Sequence, residues 1–415
     1  MLYRYLRPLP VLATPIGSVP LPLTMDRGAL STIWKDVPTP IAMRSADGTK
    51  VVFGSTVSGA PPKSYIQGYD FTNAMGTVFS TAGNGVGILM DTPGVTNSTG
   101  FQPTIRNIGI SPDAHYAIGI ASTNGKIGTG SIAEYTSIQY FKLTSGQYTL
   151  VFQRPSTKNK DRNQLLNFYD ATSYTQNLEF TDGTTNEALQ NLLLSDTASP
   201  TVVNQFTTAL FIKVLTSFTV GGDVVVVYTT LQSGPQNTAI LYDVYRPAAG
   251  SVFTAIVQGV QFPGYDNTVC AALPQFEAMP GNKVAMSLTC TTISLNPSLF
   301  LYQYDGAGGF TALPIDVPLS GPAQGSTFNN YNQNTVQMSY GVGASKNILA
   351  INNASGQFLY RYTGTGLQKV PHAQFLPNPA VVTYICADYL GRLFVYCNNQ
   401  FGGSTATGQL FDLGV

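Results

Sequence analysis

Histidine is the side chain best suited to moving protons near neutral pH, and this chain has two, His115 and His372. His115 falls in a turn and His372 in a loop after a proline, and neither belongs to a pattern that supplies a nucleophile or an orienting carboxylate. Both read as polar loop residues. The glutamates number four, Glu134, Glu179, Glu187 and Glu277. Glycoside hydrolysis needs two carboxylates flanking one bond, and no spacing marks such a pair. Most aspartates stand in turn contexts, as in Asp47-Gly48, Asp182-Gly183 and Asp305-Gly306, where their side chains bond nearby backbone N–H groups. No catalytic, cofactor-binding or metal-binding residue is assigned, no cofactor is expected, and the chain is not expected to be an enzyme. The residues of any binding site stay unassigned.

Four cysteines fall in two pairs about turns, Cys270 with Cys290 and Cys386 with Cys397. Each pair could face across adjacent strands, where side chains approach to about 5 Å. Disulfide geometry is demanding. The interrupted N-terminus (Pro8, Pro10, Pro15, Pro20 and Pro22) offers no secretion signal, so buried free thiols are preferred. CxxC spacing is absent, which argues against zinc. The Gly-rich runs at 83–87 and 306–309 lack the strand-to-helix context of a phosphate loop and read as loops.

Composition narrows the partners. The 21 basic and 21 acidic residues cancel, and charged residues make up 10% of the chain. That removes the electrostatic case for nucleic acid, whose binding rests on many phosphate contacts. The short cluster Lys158, Lys160 and Arg162 around Asp161 reads as a solvated loop. No stretch approaches the roughly 20 apolar residues that span a bilayer. High Gly and Pro alongside many Val, Thr, Tyr and Phe indicate short strands joined by turns.

Those strands repeat. A polar turn followed by an apolar strand begins at Ser45, Ser111, Thr219, Met279, Gly341 and Ala387. Downstream of each lies a second unit, an aromatic-rich strand, a short turn and another strand. Tyr302-Gln303-Tyr304 and Tyr360-Arg361-Tyr362 alternate with the strand period of two. Each module is then a four-stranded antiparallel meander, and a ring of them is a β-propeller. The first units start 66, 108, 60, 62 and 46 residues apart. The long gap predicts either an insertion near 158–206, giving six blades, or a degenerate seventh blade. Within it, Thr184-Thr185-Asn186-Glu187 before Ala188, Leu189, Leu192 and Leu193 has capping-box spacing and predicts a helix. The last module ends one strand short at Val415, and the N-terminal segment LYRYLRPLPVL resembles an earlier aromatic strand. An N-terminal strand is therefore expected to close the ring. Residues 1–30 form that strand and a Pro-rich arm, and residues 31–415 the all-β propeller.

Two resemblances follow from these residues. Ser45-Ala46-Asp47-Gly48 and Ser111-Pro112-Asp113-Ala114 resemble the Asp-box of sialidases but lack its following Gly-x-Thr-Trp. Trp34 is the single Trp, which argues against the WD and kelch families. In composition and repeat architecture the chain resembles virion accessory proteins of tailed bacteriophages. That resemblance implies a non-catalytic structural or docking component of a tail or capsid. It would be located in the virion and contact other virion proteins through loops and the N-terminal arm. An alternative is a carbohydrate- or receptor-binding propeller, with some of the 23 tyrosines stacking on the sugars of a host-surface glycan. A propeller glycosidase ranks third.

Overall fold

The computed structural model describes residues 14–19, 42–57, 63–72, 77–79, 88–97, 104–158, 166–179, 187–196, 198–207, 212–230, 240–248, 253–264, 272–290, 297–319, 337–341, 347–353, 356–370, 382–387, 392–398 and 406–412. These residues contain no helix and form seven antiparallel sheets. The protein is an all-β propeller.

Blade 1 is built from Ala42–Arg44, Lys50–Val57, Lys63–Asp70 and Thr77–Phe79. Blade 2 takes Thr104–Ile110, Tyr116–Ile127, Ala133–Thr144 and Gln147–Gln153, with short strands Val95–Asn97 and Thr157–Lys158 added at its margins. Blade 3 is Leu166–Phe168, Ser173–Glu179, Glu187–Leu193 and Thr201–Thr207. Blade 4 is Ile212–Val220, Asp223–Thr230, Ile240–Pro247 and Phe253–Gln261. Blade 5 is Ala272–Met279, Lys283–Cys290, Leu299–Tyr304 and Phe310–Leu313. Blade 6 is Gln337–Tyr340, Ile348–Asn353, Gly356–Tyr362 and Leu367–Lys369. Blade 7 joins Val382–Ala387, Leu393–Asn398 and Ala406–Asp412 to Thr14–Val19 from the N-terminus.

Each recurring apolar strand seen in the sequence is the second strand of its blade. Six blades carry one copy each, and blade 3 occupies the long gap, where a degenerate blade stands in place of an insertion. The ring is closed by Thr14–Val19, which pairs with Ala406–Asp412 and shifts register between Pro15 and Gly17. Proline has no N–H to give a ladder, so its place in an outermost strand beside an irregularity is the tolerated one. The residues that suggested this strand, 2–12, lie outside those described.

The helix expected around 184–193 is corrected. Glu187–Leu193 is a strand paired on both sides, with Ser173–Glu179 and Thr201–Thr207. Capping patterns are weak local preferences, and two flanking strands that satisfy the backbone groups override them. The cross-strand facing considered for Cys386 and Cys397 is corrected too. The register places Cys386 opposite Phe394 and Cys397 opposite Val382, so the two cysteines are offset by three residues along the ladder. That offset is about 10 Å at the strand rise, beyond disulfide reach. Cys290 faces Ala272, and Cys270 lies outside the described residues.

First strands of successive blades lie side by side around the ring, and their alternating side chains face the two neighbouring blades in turn. In blade 4, Phe218 and Val220 enter the apolar core shared with blade 5, whereas Thr219 and Ser217 meet Asn167 and Thr175 of blade 3. Similar apolar cores join blades 1 and 2, 2 and 3, and 5 and 6.

The first turns of blades 1 and 2 share one hydrogen-bond network. Ser45 Oγ donates to Asp47 Oδ1 (2.6 Å) and accepts from Lys50 N (2.9 Å). Ser111 Oγ donates to Asp113 Oδ1 (2.6 Å) and accepts from Tyr116 N (2.9 Å). The fourth residue is left-handed in both, Gly48 with φ 72° and Ala114 with φ 59°. Gly48 takes that conformation without steric cost; Ala114 is held there by the bonds around it. The weak Asp-box likeness thus marks a turn that starts the second strand.

Candidate functional site at the ring axis

Arg44 is the last residue of the first strand of blade 1, where the alternation turns its side chain away from the core that takes Met43. Its Nη1 donates to the carbonyls of Tyr340 (2.9 Å) and Ala387 (2.7 Å), and its Nη2 to Glu277 Oε1 (3.2 Å). Those partners belong to the first strands of blades 6, 7 and 5. A side chain rooted in blade 1 that touches three successive blades beyond the closure reaches across the ring axis near the ends of the first strands, the axial mouth. One guanidinium therefore braces the end of the ring where the chain closes on itself.

Glu277 Oε1 also accepts from Tyr340 N (2.7 Å), and Ser339 Oγ accepts from Ala387 N (2.9 Å). Burial pushes the Glu277 carboxyl above its ordinary value, while the Arg44 charge and the Tyr340 N–H pull the other way. Three of the five guanidinium N–H donors are used, leaving Nε–H and one Nη2–H without a partner among the described residues. Glu277 Oε2 likewise has none among them. The side chains are 13% and 18% exposed, so the pair is mostly buried yet still within reach of solvent.

Nothing in the sequence singles Glu277 out from the other three glutamates, and no motif marks Arg44. The available signal was positional: each is a charged residue near the end of a blade's first strand. The other glutamates are not brought to this site. Glu134 accepts from Ser122 Oγ (2.6 Å) in blade 2, and Glu179 and Glu187 are register partners on two adjacent strands of blade 3. His115 packs edge-on against Tyr116, with ring centroids 4.8 Å apart. Tyr116 donates to Asp196, which also takes Lys142 Nζ, and burial with that bond pushes the Tyr116 hydroxyl up to about 12. This surface cluster ties blade 2 to blade 3. His372 and Trp34 lie outside the described residues. Among the described residues no group of three or more His, Cys, Asp or Glu gathers as a metal site.

A second brace joins blades 4 and 5. Buried Asp223 takes Arg246 Nε and Nη2 at 2.8 Å each and Tyr304 Oη at 2.5 Å. Asp223→Ala would strand the buried Tyr304 hydroxyl and is expected to lower stability by about 2 kcal/mol. A urea midpoint equal to that of the parent would show that the carboxylate does not hold this interface.

No family model and no curated protein matches the chain. Solved structures do. The chain is similar to a prolyl endopeptidase at 12% identity and a TM-score of 0.46, over 89% of this chain and 47% of the other. The β-propeller domain of the Trilobed protease from Pyrococcus furiosus matches at 12% identity and a TM-score of 0.43, over 89% and 96%. Trypanosoma rangeli sialidase matches at 8% identity and a TM-score of 0.41, over 80% and 57%. The chain spans about half the length of the prolyl endopeptidase and somewhat more of the sialidase. The virion role expected from composition is withdrawn: no family model and no curated protein connects the chain to a phage.

Proposed function

We propose that the protein is a ligand-binding propeller that takes a small polar molecule at the axial mouth. The observation that carries this reading is the unused hydrogen-bonding capacity of Arg44 and Glu277 at the point where four blades meet. Both charges are held by one another and by backbone groups, an arrangement that fixes their orientation before any ligand arrives. Preorganised donors and acceptors lose little entropy on binding. The same pairing suits recognition better than proton transfer.

The test is a thermal-shift screen of small polar compounds against the parent protein and Arg44→Lys. Lysine keeps the charge but loses the planar fork. Compounds that stabilise the parent and lose their effect on the variant are expected. A screen in which no compound shifts the parent, or every shift persists in the variant, would sink the axial reading.

A further inference from the structure

The chemistry of the axial mouth restricts what fits it. Arg44 and Glu277 together carry no net charge, yet each still offers bonds in its own sense. A simple anion drawn to the free Nε–H and Nη2–H would meet the Glu277 carboxylate beside them, whose Oε1 lies 3.2 Å from Nη2. A simple cation drawn to Oε2 would meet the guanidinium. Either would have to be desolvated against a like charge in a site mostly removed from water, where such repulsion is costly. A molecule with both charges on neighbouring atoms avoids both penalties.

We infer that the ligand is a free α-amino acid, its carboxylate on the unused N–H groups of Arg44 and its ammonium on Glu277 Oε2. This rests on the axial-site reading above and names the class of molecule that the site takes. A planar carboxylate matches two guanidinium N–H donors. The ammonium supplies the hydrogens that Oε2, an acceptor only, requires. A neutral carboxamide could place one acceptor and one donor in the same positions, but without charge assistance, which roughly doubles the strength of such bonds.

The experiment is calorimetric titration of the full chain with each common L-amino acid. Any amino acid that binds is then repeated as its N-acetyl derivative and its methyl ester. Propionate, propylamine and propionamide serve as single-group probes. At least one amino acid is expected to bind, and blocking either end should weaken it by about tenfold or more. Glu277→Gln should weaken the amino acid by a similar factor and, with the repelling carboxylate gone, should favour propionate relative to the parent. Circular dichroism melts confirm that the variant is folded, and Arg44→Lys provides a second variant that keeps the charge. If propionamide or one single ion binds at the mouth and no amino acid does, the ligand class is wrong while the axial site stands. The ligand class also fails if the blocked derivatives bind as tightly as the parent amino acid. If neither the amino acids nor the probes bind, the class and the axial site fall together.

Discussion

Phe262→Ala is expected to lower the stability of the protein by about 4 kcal/mol, the largest effect of any single truncation considered. Phe262 lies just past the last strand of blade 4, on the way to blade 5, and is 1% exposed. Its ring stands 4.5 Å from Tyr242, 5.3 Å from Phe310 and 5.4 Å from both Tyr302 and Phe276, centroid to centroid. Two of those rings are tyrosines pinned by their hydroxyls. Tyr242 donates to the Gly308 carbonyl (3.2 Å) and Tyr302 to the Pro263 carbonyl (3.1 Å). The surrounding rings therefore cannot collapse into the space left by the lost phenyl without breaking buried hydrogen bonds. A cavity that cannot close gives the upper part of the range for Phe→Ala. Urea unfolding followed by tyrosine fluorescence and circular dichroism measures it. A loss below about 1 kcal/mol, with an unchanged dependence on urea, would mean that the interface between blades 4 and 5 is not packed as described.

The second large effect depends on pH. Arg44→Met removes the cation that offsets burial of Glu277 and is expected to cost about 3 kcal/mol near neutral pH. Burial already raises the Glu277 carboxyl above its ordinary value of 4.5, and Arg44 is the larger of the two influences opposing that rise. Without Arg44 the folded-state value climbs further. A carboxyl whose folded pKa lies above its unfolded one favours the folded state at low pH, and that contribution is lost as pH rises through the folded value. The deficit of Arg44→Met relative to the parent should thus be small at about pH 4.5 and full at about pH 7.5. Melting temperatures across that range provide the comparison. Adding Glu277→Gln to Arg44→Met should flatten the pH dependence, since no buried carboxyl remains to titrate at this place. A deficit that is equal at both ends of the range, or larger in acid, would show that Glu277 is not the group left uncompensated.

The strands themselves were legible because their signals are local. Asp-Gly and Pro-Gly turns, alternation in Tyr302-Gln303-Tyr304 and runs such as Val224–Tyr228 act over a few residues, and the chain has no competing helical period over most of its length. The exception shows the limit of that argument. Residues 187–193 carry a capping-box spacing and an apolar stripe, yet they form the third strand of blade 3. The deciding partners, Ser173–Glu179 and Thr201–Thr207, are invisible to a local pattern.

The candidate site was barely legible. Its two charged residues stand 233 positions apart, and Tyr340 and Ala387 contribute through backbone groups that any residue would supply. Cys386 and Cys397 make the same point in a smaller space. Symmetry about a turn suggested that they face each other, while the observed register offsets them by three residues. Sequence by itself determined the class of fold, the repeat and the need for an N-terminal strand to complete the last blade. Those follow from hydrophobic periodicity and turn chemistry, which are properties of neighbouring residues. Tertiary structure alone decided which strand closes the ring, that the long gap is a blade, and that Arg44 meets Glu277 at its axis. Such contacts depend on how blades are arranged around a circle, and no interaction within a few residues carries that information.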